Sequence, residues 1–303
     1  MKALVTGGAG FIGSYLVDAL ISKGFSVHII DNLSSGKKEY INPLAIFHEL
    51  DISTAAAHKV ILKEKPDYIF HMAAQADLSR STASPLDDMH TNVAGTINLL
   101  DACRQYPVKN FVFSSTSAVY GNVSSEMIDE SHKTSPISFY GLSKLTAENY
   151  IKLFHDTFQI PFTILRYGNV YGPRQTSKGE GGVIAVFLEK LKKNEQLKIH
   201  GDGLQTRDYV FVQDVVEANI AAADKGKQMM MHISTGQRSS ILQLIDLLKN
   251  HHTGKIHAFH TVDRQGDIKH SGFDNTLAKH ILSWKPYYSI QDGMRETYLS
   301  YSF

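Results

Sequence analysis

Three glycines at fixed offsets, Gly8-Ala9-Gly10-Phe11-Ile12-Gly13, come one residue after the short apolar run Ala3-Leu4-Val5-Thr6. Residues 11–23 then carry the apolar spacing of a helix. A strand that turns into a helix through such a segment presents bare backbone N–H groups and the positive end of the helix dipole, a cradle suited to a pyrophosphate. Side chains at the glycine positions would block that approach. A second apolar run ends at Asp31, 18 residues after Gly13. A carboxylate there accepts hydrogen bonds from ribose hydroxyls and repels a 2′-phosphate. The segment therefore predicts a dinucleotide site that takes NAD in preference to NADP.

The rest of the first half repeats the alternation. Residues 3–6, 27–31, 46–51, 68–72 and 111–115 read as short strands, and residues 11–23, 54–65, 85–106 and 138–158 as helices long enough to cross between parallel strands. The expected fold is α/β, a doubly wound parallel (Rossmann) sheet with a smaller substrate-binding region. After about Val170 the pattern loosens into Gly-rich loops, a helix at 183–193 and shorter pieces around Ile199 and Val210. Residues 1–170 are thus expected to bind the dinucleotide, and 171–303 to form the second region with segments returning to the first. Residues 179–182 read as a mobile loop.

Composition narrows the function classes. With 31 Lys and Arg against 30 Asp and Glu, the net charge of +1 advertises no nucleic-acid or anionic-membrane surface, so any anionic ligand must be held by local groups. Cys103 is the single cysteine, which excludes an intramolecular disulfide and a multi-cysteine zinc cage and suits a reducing, cytoplasmic setting. No apolar segment approaches the roughly 20 residues of a membrane span, and the opening residues are too weakly apolar for a signal peptide. Among 15 histidines, His251-His252 and the pair His257 and His260 are spaced as metal ligands can be, but no acid or cysteine accompanies them at ligand spacing. They read as solvated, with no metal expected, and His71 reads as hydrogen-bonded in place of acid–base work.

Tyr140 and Lys144 lie four apart in a helical segment and share a face. A phenol of pKa about 10 makes a poor base near neutrality, but a neighbouring ammonium and a cationic nicotinamide stabilise the phenolate. Tyr140 could then take a hydroxyl proton while hydride leaves carbon. Thr116 ends the 111–115 strand with a short hydroxyl able to bridge a substrate oxygen and the Tyr140 oxygen, with Ser114 and Ser115 nearby.

Together these residues resemble the extended short-chain dehydrogenase/reductase family, and most closely its sugar-nucleotide epimerases and dehydratases. The likeness runs through Thr6-Gly7-Gly8-Ala9-Gly10-Phe11-Ile12-Gly13, Asp31-Asn32-Leu33, Asp51-Ile52, His71-Met72-Ala73-Ala74-Gln75, Asn92-Val93-Ala94-Gly95-Thr96, Phe113-Ser114-Ser115-Thr116-Ser117-Ala118-Val119-Tyr120-Gly121 and Tyr140-Gly141-Leu142-Ser143-Lys144. The resemblance implies that Gly7, Gly10, Phe11, Ile12 and Gly13 hold NAD, that Asp31, Asn32, Asp51 and Ile52 meet its adenosine half, and that Ala73 lines the cleft. It implies a catalytic triad of Thr116, Tyr140 and Lys144, the last also holding the nicotinamide ribose. Further on, Asn169 in Arg166-Tyr167-Gly168-Asn169-Val170-Tyr171-Gly172-Pro173 stands where the family contacts the sugar nucleotide's phosphate. Arg207 and Arg264 match its two diphosphate clamps, a task suited to guanidinium. Trp284, in the closing motif, reads as packing.

Dehydratases and decarboxylases of the family place an acid between the catalytic Ser/Thr and the following Val-Tyr-Gly, where proton delivery to a leaving hydroxyl requires it. Here that stretch is Thr116-Ser117-Ala118. The resemblance therefore implies C4 epimerisation of a UDP-hexose through a transient 4-keto sugar, against two alternatives: a decarboxylase or dehydratase with its acid elsewhere, and a non-catalytic NAD-binding sensor. Ser271 occupies the position where family members restricted to non-acetylated hexoses carry a tyrosine, so room for an N-acetyl group is expected. A homodimer through helices 85–106 and 138–158 is implied as well. Phe154 and Phe158 suit either core or interface.

Overall fold

The structure, a computed structural model, describes residues 1–123, 127–177, 182–263 and 269–301. Strands β1 (Lys2–Thr6), β2 (Ser26–Asp31), β3 (Ile46–Glu49), β4 (Tyr68–His71), β5 (Asn110–Thr116) and β6 (Phe162–Tyr167) join the Met229–Ile233 strand in one seven-stranded sheet. From edge to edge the order is Met229–Ile233, β6, β5, β4, β1, β2, β3, and every neighbouring pair is parallel. The strands are near-continuous apolar runs because helices cover both faces. This is the doubly wound α/β sheet expected from the sequence.

On one face, Leu16, Val17 and Leu20 of helix α1 (Phe11–Ser22) pack with Val215, Ala218 and Ala222 of the Val212–Asp224 helix. On the other, Ala57 and Ile61 of α2 (Ala55–Glu64) meet Leu99, Leu100 and Cys103 beneath Ile69, Phe111 and Phe113. The 85–106 segment is not one uniform helix. After α3 (Leu78–Ala83) it runs as α4 (Pro85–Met89), a π-helical stretch at His90–Ala94, and α5 (Gly95–Gln105). The widened turn coincides with the buried side chain of Asn92, which joins the polar network described below. Helix α6 (Phe139–Phe158) begins at Ser138, whose hydroxyl accepts from the Gly141 N–H. Phe154 packs against the core of this face, whereas Phe158 is exposed.

A separate cluster built on Tyr171, Phe187, Leu188, Phe211, Leu244 and Tyr298 forms the core of the second region. The sequence reading left β6, Met229–Ile233 and the helices Val212–Asp224, Ile241–Lys249, Thr276–Leu282 and Ile290–Leu299 unassigned. Met229–Ile233 lies far beyond residue 170 and yet pairs with β6 in the main sheet. Trp284 is packing, as expected: its Nε1 donates to the Asp214 carbonyl at 2.9 Å. The expected loop at 179–182 falls, except for Gly182, outside the described residues.

The order of the strands positions the site. From β1 the chain passes to β2 and β3 on one side and then crosses to β4 and β5 on the other, so a crevice opens at the carboxyl ends of β1 and β4. Leu99 is fully buried against the sheet, and truncating it to alanine should cost about 2–5 kcal/mol of unfolding free energy. Urea denaturation of Leu99→Ala measures this. A loss below about 1 kcal/mol would show that the site collapses to fill the space.

Candidate active site

Gly7 leaves β1 with φ +69°, and its N–H donates to the Ile30 carbonyl of β2. The Gly10 N–H then donates back to the Gly7 carbonyl, closing the turn at the head of α1. A Cβ on Gly13 would collide with that same carbonyl oxygen, and one on Gly7 would lie 2.7 Å from the Ala73 nitrogen. Helix, turn and the segment that follows β4 touch backbone to backbone, and the space above the turn is left for a ligand.

Asp31 accepts from the Ala9 N–H at 3.0 Å and the Leu33 N–H at 2.8 Å, so it braces the turn as well as facing the crevice. Burial raises its pKa, and the two backbone donors oppose that rise. Asp51 is also desolvated, but hydrogen bonds from Ser53 and the Asn32 amide outweigh burial and leave its pKa lowered. Gly7, Gly10, Phe11, Ile12 and Gly13 line one crevice together with Asp31, Asn32, Asp51, Ile52 and Ala73. Tyr140 and Lys144 close its far end. Every residue expected to meet NAD therefore faces one space, and the bare glycine turn fits a pyrophosphate.

Behind the crevice a buried relay fixes β4. The Ala73 N–H donates to Thr6 Oγ1, which pairs with His71 Nδ1 at 2.7 Å. His71 Nε2 lies 2.9 Å from Thr96 Oγ1, whose hydroxyl donates to the Asn92 carbonyl. Because Thr96 uses its proton on Asn92, His71 must carry its own on Nε2 and accept at Nδ1. Burial and the nearby Lys144 charge push its pKa well down, so the ring stays neutral. Asn92 continues the relay to the Ser143 hydroxyl on α6 at 3.0 Å. His71 is the hydrogen-bonded core histidine expected from the sequence.

Lys144 is buried, with Nζ 4.1 Å from the centre of the Phe113 ring. Tyr140, one turn earlier, is half-buried and lines two spaces at once: the crevice and a second cavity toward the second region. That cavity also contains Thr116, Asn169, Arg207 and Ser271. Thr116 caps the turn after β5, its Oγ1 accepting from the Ala118 N–H at 3.1 Å. Arg264, the second expected clamp, lies outside the described residues.

Sequence reasoning did not single out Ser34, Ala76 and Thr91 in the crevice, or Ile137, Gln175 and His270 in the cavity. It also passed over Tyr167, which lines both and donates to Asn219 Oδ1. Its neighbour Asn169 was the available signal. Of the paired histidines, His257 and His260 are exposed as expected, but His252 is half-buried against the Tyr298 hydroxyl. Among the described residues no group of three or more His, Cys, Asp or Glu could hold a metal ion.

Beneath Thr116 and Tyr140 lies a buried ion pair. Arg166 of β6 donates to Glu148 of α6 through Nε at 2.9 Å and Nη2 at 2.6 Å, and the Ser115 hydroxyl adds a third bond at 2.5 Å. Glu148 is fully buried and Arg166 is 3% exposed.

Residues 3–233 match the NAD dependent epimerase/dehydratase family. The chain is 42% identical over 293 residues, 96% of its length, to a putative UDP-glucose 4-epimerase of Methanocaldococcus jannaschii, of which 95% is covered. The crystal structure of UDP-glucose 4-epimerase with UDP-glucose from Thermotoga maritima superposes with a TM-score of 0.95 at 42% identity, covering 99% of this chain and 98% of that one. UDP-N-acetylglucosamine 4-epimerase from Methanobrevibacter ruminantium, in complex with UDP-N-acetylmuramic acid, gives 0.94 at 35% identity, with 99% and 97% covered.

Two substitutions test the crevice. Gly13→Ala should abolish NAD retention through the clash with Gly7, and Asp31→Ala should weaken NAD and relax its preference over NADP. Cofactor content after purification and titration with both dinucleotides read these effects. An unchanged preference in Asp31→Ala would assign discrimination to another residue.

Proposed function

The chain belongs to the NAD dependent epimerase/dehydratase family, and from that premise we propose that it inverts the C4 hydroxyl of a UDP-hexose with NAD as a resident cofactor. The observation that carries this reading is the position of Tyr140, which borders both the dinucleotide crevice and the cavity holding Thr116, Asn169, Arg207 and Ser271. A base there reaches a sugar hydroxyl beside a nicotinamide. Residues 1–170 are assigned to the dinucleotide and 171–303 to the sugar nucleotide, with Met229–Ile233 returning to the first sheet.

Bound NAD would supply the reversible hydride acceptor for C4. Tyr140 takes the O4 proton and later returns it, while the Lys144 ammonium on the same helix face favours its phenolate. The Thr116 hydroxyl holds O4 between them. Asn169 and Arg207 hold the diphosphate, with Arg264 as a second clamp, so the hexose can turn over between oxidation and reduction without release. Neither Ser117 nor Ala118 offers an acid for elimination. Ser271 is small, and room beside it suits an N-acetyl group at C2.

Two further assignments follow. Leu86 and Met89 of α4 and Phe139, Leu142, Leu153 and Phe158 of α6 are exposed apolar side chains on neighbouring helices. They support a homodimer through this face. No helix among the described residues is long and apolar enough to cross a membrane. Cys103 is buried and unbridged, which suits a cytoplasmic enzyme.

Purified protein given UDP-glucose, UDP-N-acetylglucosamine or UDP-glucuronate should yield epimers of the first two without loss of mass. Loss of water or carbon dioxide, or no turnover of any sugar, would overturn the reading. Tyr140→Phe should retain NAD but fall below about a tenth of wild-type turnover. Ser271→Tyr should selectively lose UDP-N-acetylglucosamine, measured as kcat/KM for both sugars, whereas equal losses would show that this position is not the gate.

A further inference from the structure

A second buried relay begins at the Glu148–Arg166 pair and leaves it in the opposite direction. Arg166 Nη1 donates to the Tyr120 hydroxyl at 2.7 Å. That hydroxyl lies 2.5 Å from His232 Nε2, and His232 Nδ1 lies 3.0 Å from the Asp274 carbonyl. The direction of the chain is determined at both ends. A guanidinium can only donate and a backbone carbonyl can only accept, so Tyr120 passes its proton toward His232 and His232 carries its own on Nδ1. Burial and the Arg166 charge lower the His232 pKa to about 4, and burial raises Tyr120 to about 12. Both groups stay neutral, in the one arrangement that satisfies the three short bonds, the Asp129 carbonyl lying farther from the Tyr120 hydroxyl at 3.4 Å.

The far end of this chain is a wall of the proposed substrate cavity. Phe273 rests on the Tyr120 ring with centroids 6.2 Å apart, and on the His232 ring at 5.3 Å. Its carbonyl accepts from the Ser234 hydroxyl. Ile128 donates to the Gly272 carbonyl, and Asp274 donates back to Ile128. Tyr120, Ile128, Ser271 and Phe273 all border the cavity that contains Thr116 and Tyr140. Tyr120 is 1% exposed and His232 is 1% exposed, so neither bond has water to replace it.

We infer that Tyr120 and His232 are positioning residues that hold the 271–274 wall at a fixed distance from Thr116 and Tyr140 by tying it to the ion pair under α6. The inference rests on the proposed use of this cavity for the hexose. Neither residue donates or accepts a proton in the reaction. Their effect is on how tightly the sugar is held, because the wall that carries Ser271 has its height set by the relay.

The test compares Tyr120→Phe, His232→Asn and wild type. Phenylalanine keeps the ring packing and deletes the phenol's bonds to Arg166 and His232 together with its longer contact to the Asp129 carbonyl. Asparagine can still donate from near the Nδ1 position to the Asp274 carbonyl, but it loses the acceptor for Tyr120. Leaving buried partners unmet should raise KM for UDP-glucose about tenfold in Tyr120→Phe and less in His232→Asn. NAD content should not change, and kcat should change less than KM. Calorimetric titration with UDP-glucose should show the same order of weakening, and it reads the wall even in a protein that does not turn the sugar over. No activity in wild type with weakened binding in the variants would count against the epimerase reading while supporting the wall. A lowered melting temperature with unchanged KM and binding in both variants would make the relay merely structural and overturn the inference, as would a fall in kcat at constant KM.

Discussion

The Glu148 carboxylate and the Arg166 guanidinium are both out of reach of water, and neither charge is tolerable there without the other. Two short bonds and the Ser115 hydroxyl compensate them. Glu148 stands eight residues after Tyr140 and four after Lys144, so all three project from one face of α6. The pair therefore fixes the rotation and the height of the helix on β5 and β6. Removing one partner from such a pair generally costs about 3–5 kcal/mol, because the remaining charge stays buried. Thr116 follows Ser115 directly, and its place relative to Tyr140 depends on the same contact.

The crevice is held by different means. Its floor is backbone: the turn at Gly7, the Gly10 bond that closes it, and the close approach of Ala73. The side chains behind it are hydrogen-bonded, with a neutral His71 between two threonines and Asn92 leading on to Ser143 and Asp88. The field in the crevice comes from the helix end, the Asp31 and Asp51 carboxylates and the Lys144 ammonium, with the buried Asp88 carboxylate behind Asn92. For a chain of nearly balanced charge, that arrangement lets an anionic pyrophosphate and a ribose be held by local groups brought together in one crevice.

What was legible in the sequence was what is encoded locally. The glycine turn, Asp31 at the end of β2 and the spacing of Tyr140 and Lys144 each state their geometry within a few residues. Five strands of the sheet were legible because apolar runs alternate with helical spacing. Met229–Ile233 was not, since a run of three methionines, a histidine and an isoleucine has no period that separates strand from buried helix. The partners of the buried charges were also hidden. Tyr120 and His232 are 112 residues apart in the chain, and nothing in either neighbourhood specifies the other. Local spacing likewise gave no sign that 85–106 contains a π-helical stretch, because that turn coincides with the burial of Asn92 against Gln75 and α6.

The stretch from Ser114 to Tyr120 shows how so few residues border two spaces. Ser114 borders the crevice, Ser115 borders both spaces, and Thr116 through Ala118 and then Tyr120 border the cavity. The change of side occurs where β5 ends and the chain enters the short helical turn capped by Thr116. A strand sends alternate side chains to opposite faces, so a longer β5 would have returned every second residue to the core. By ending the strand at Thr116 the fold turns consecutive side chains toward the cavity, with Ser115, tied to Glu148, at the border of both spaces. On the proposed reaction this is what lets the proton-handling groups approach the sugar from the sheet, leaving the second region to hold the nucleotide and to shape the wall around the hexose.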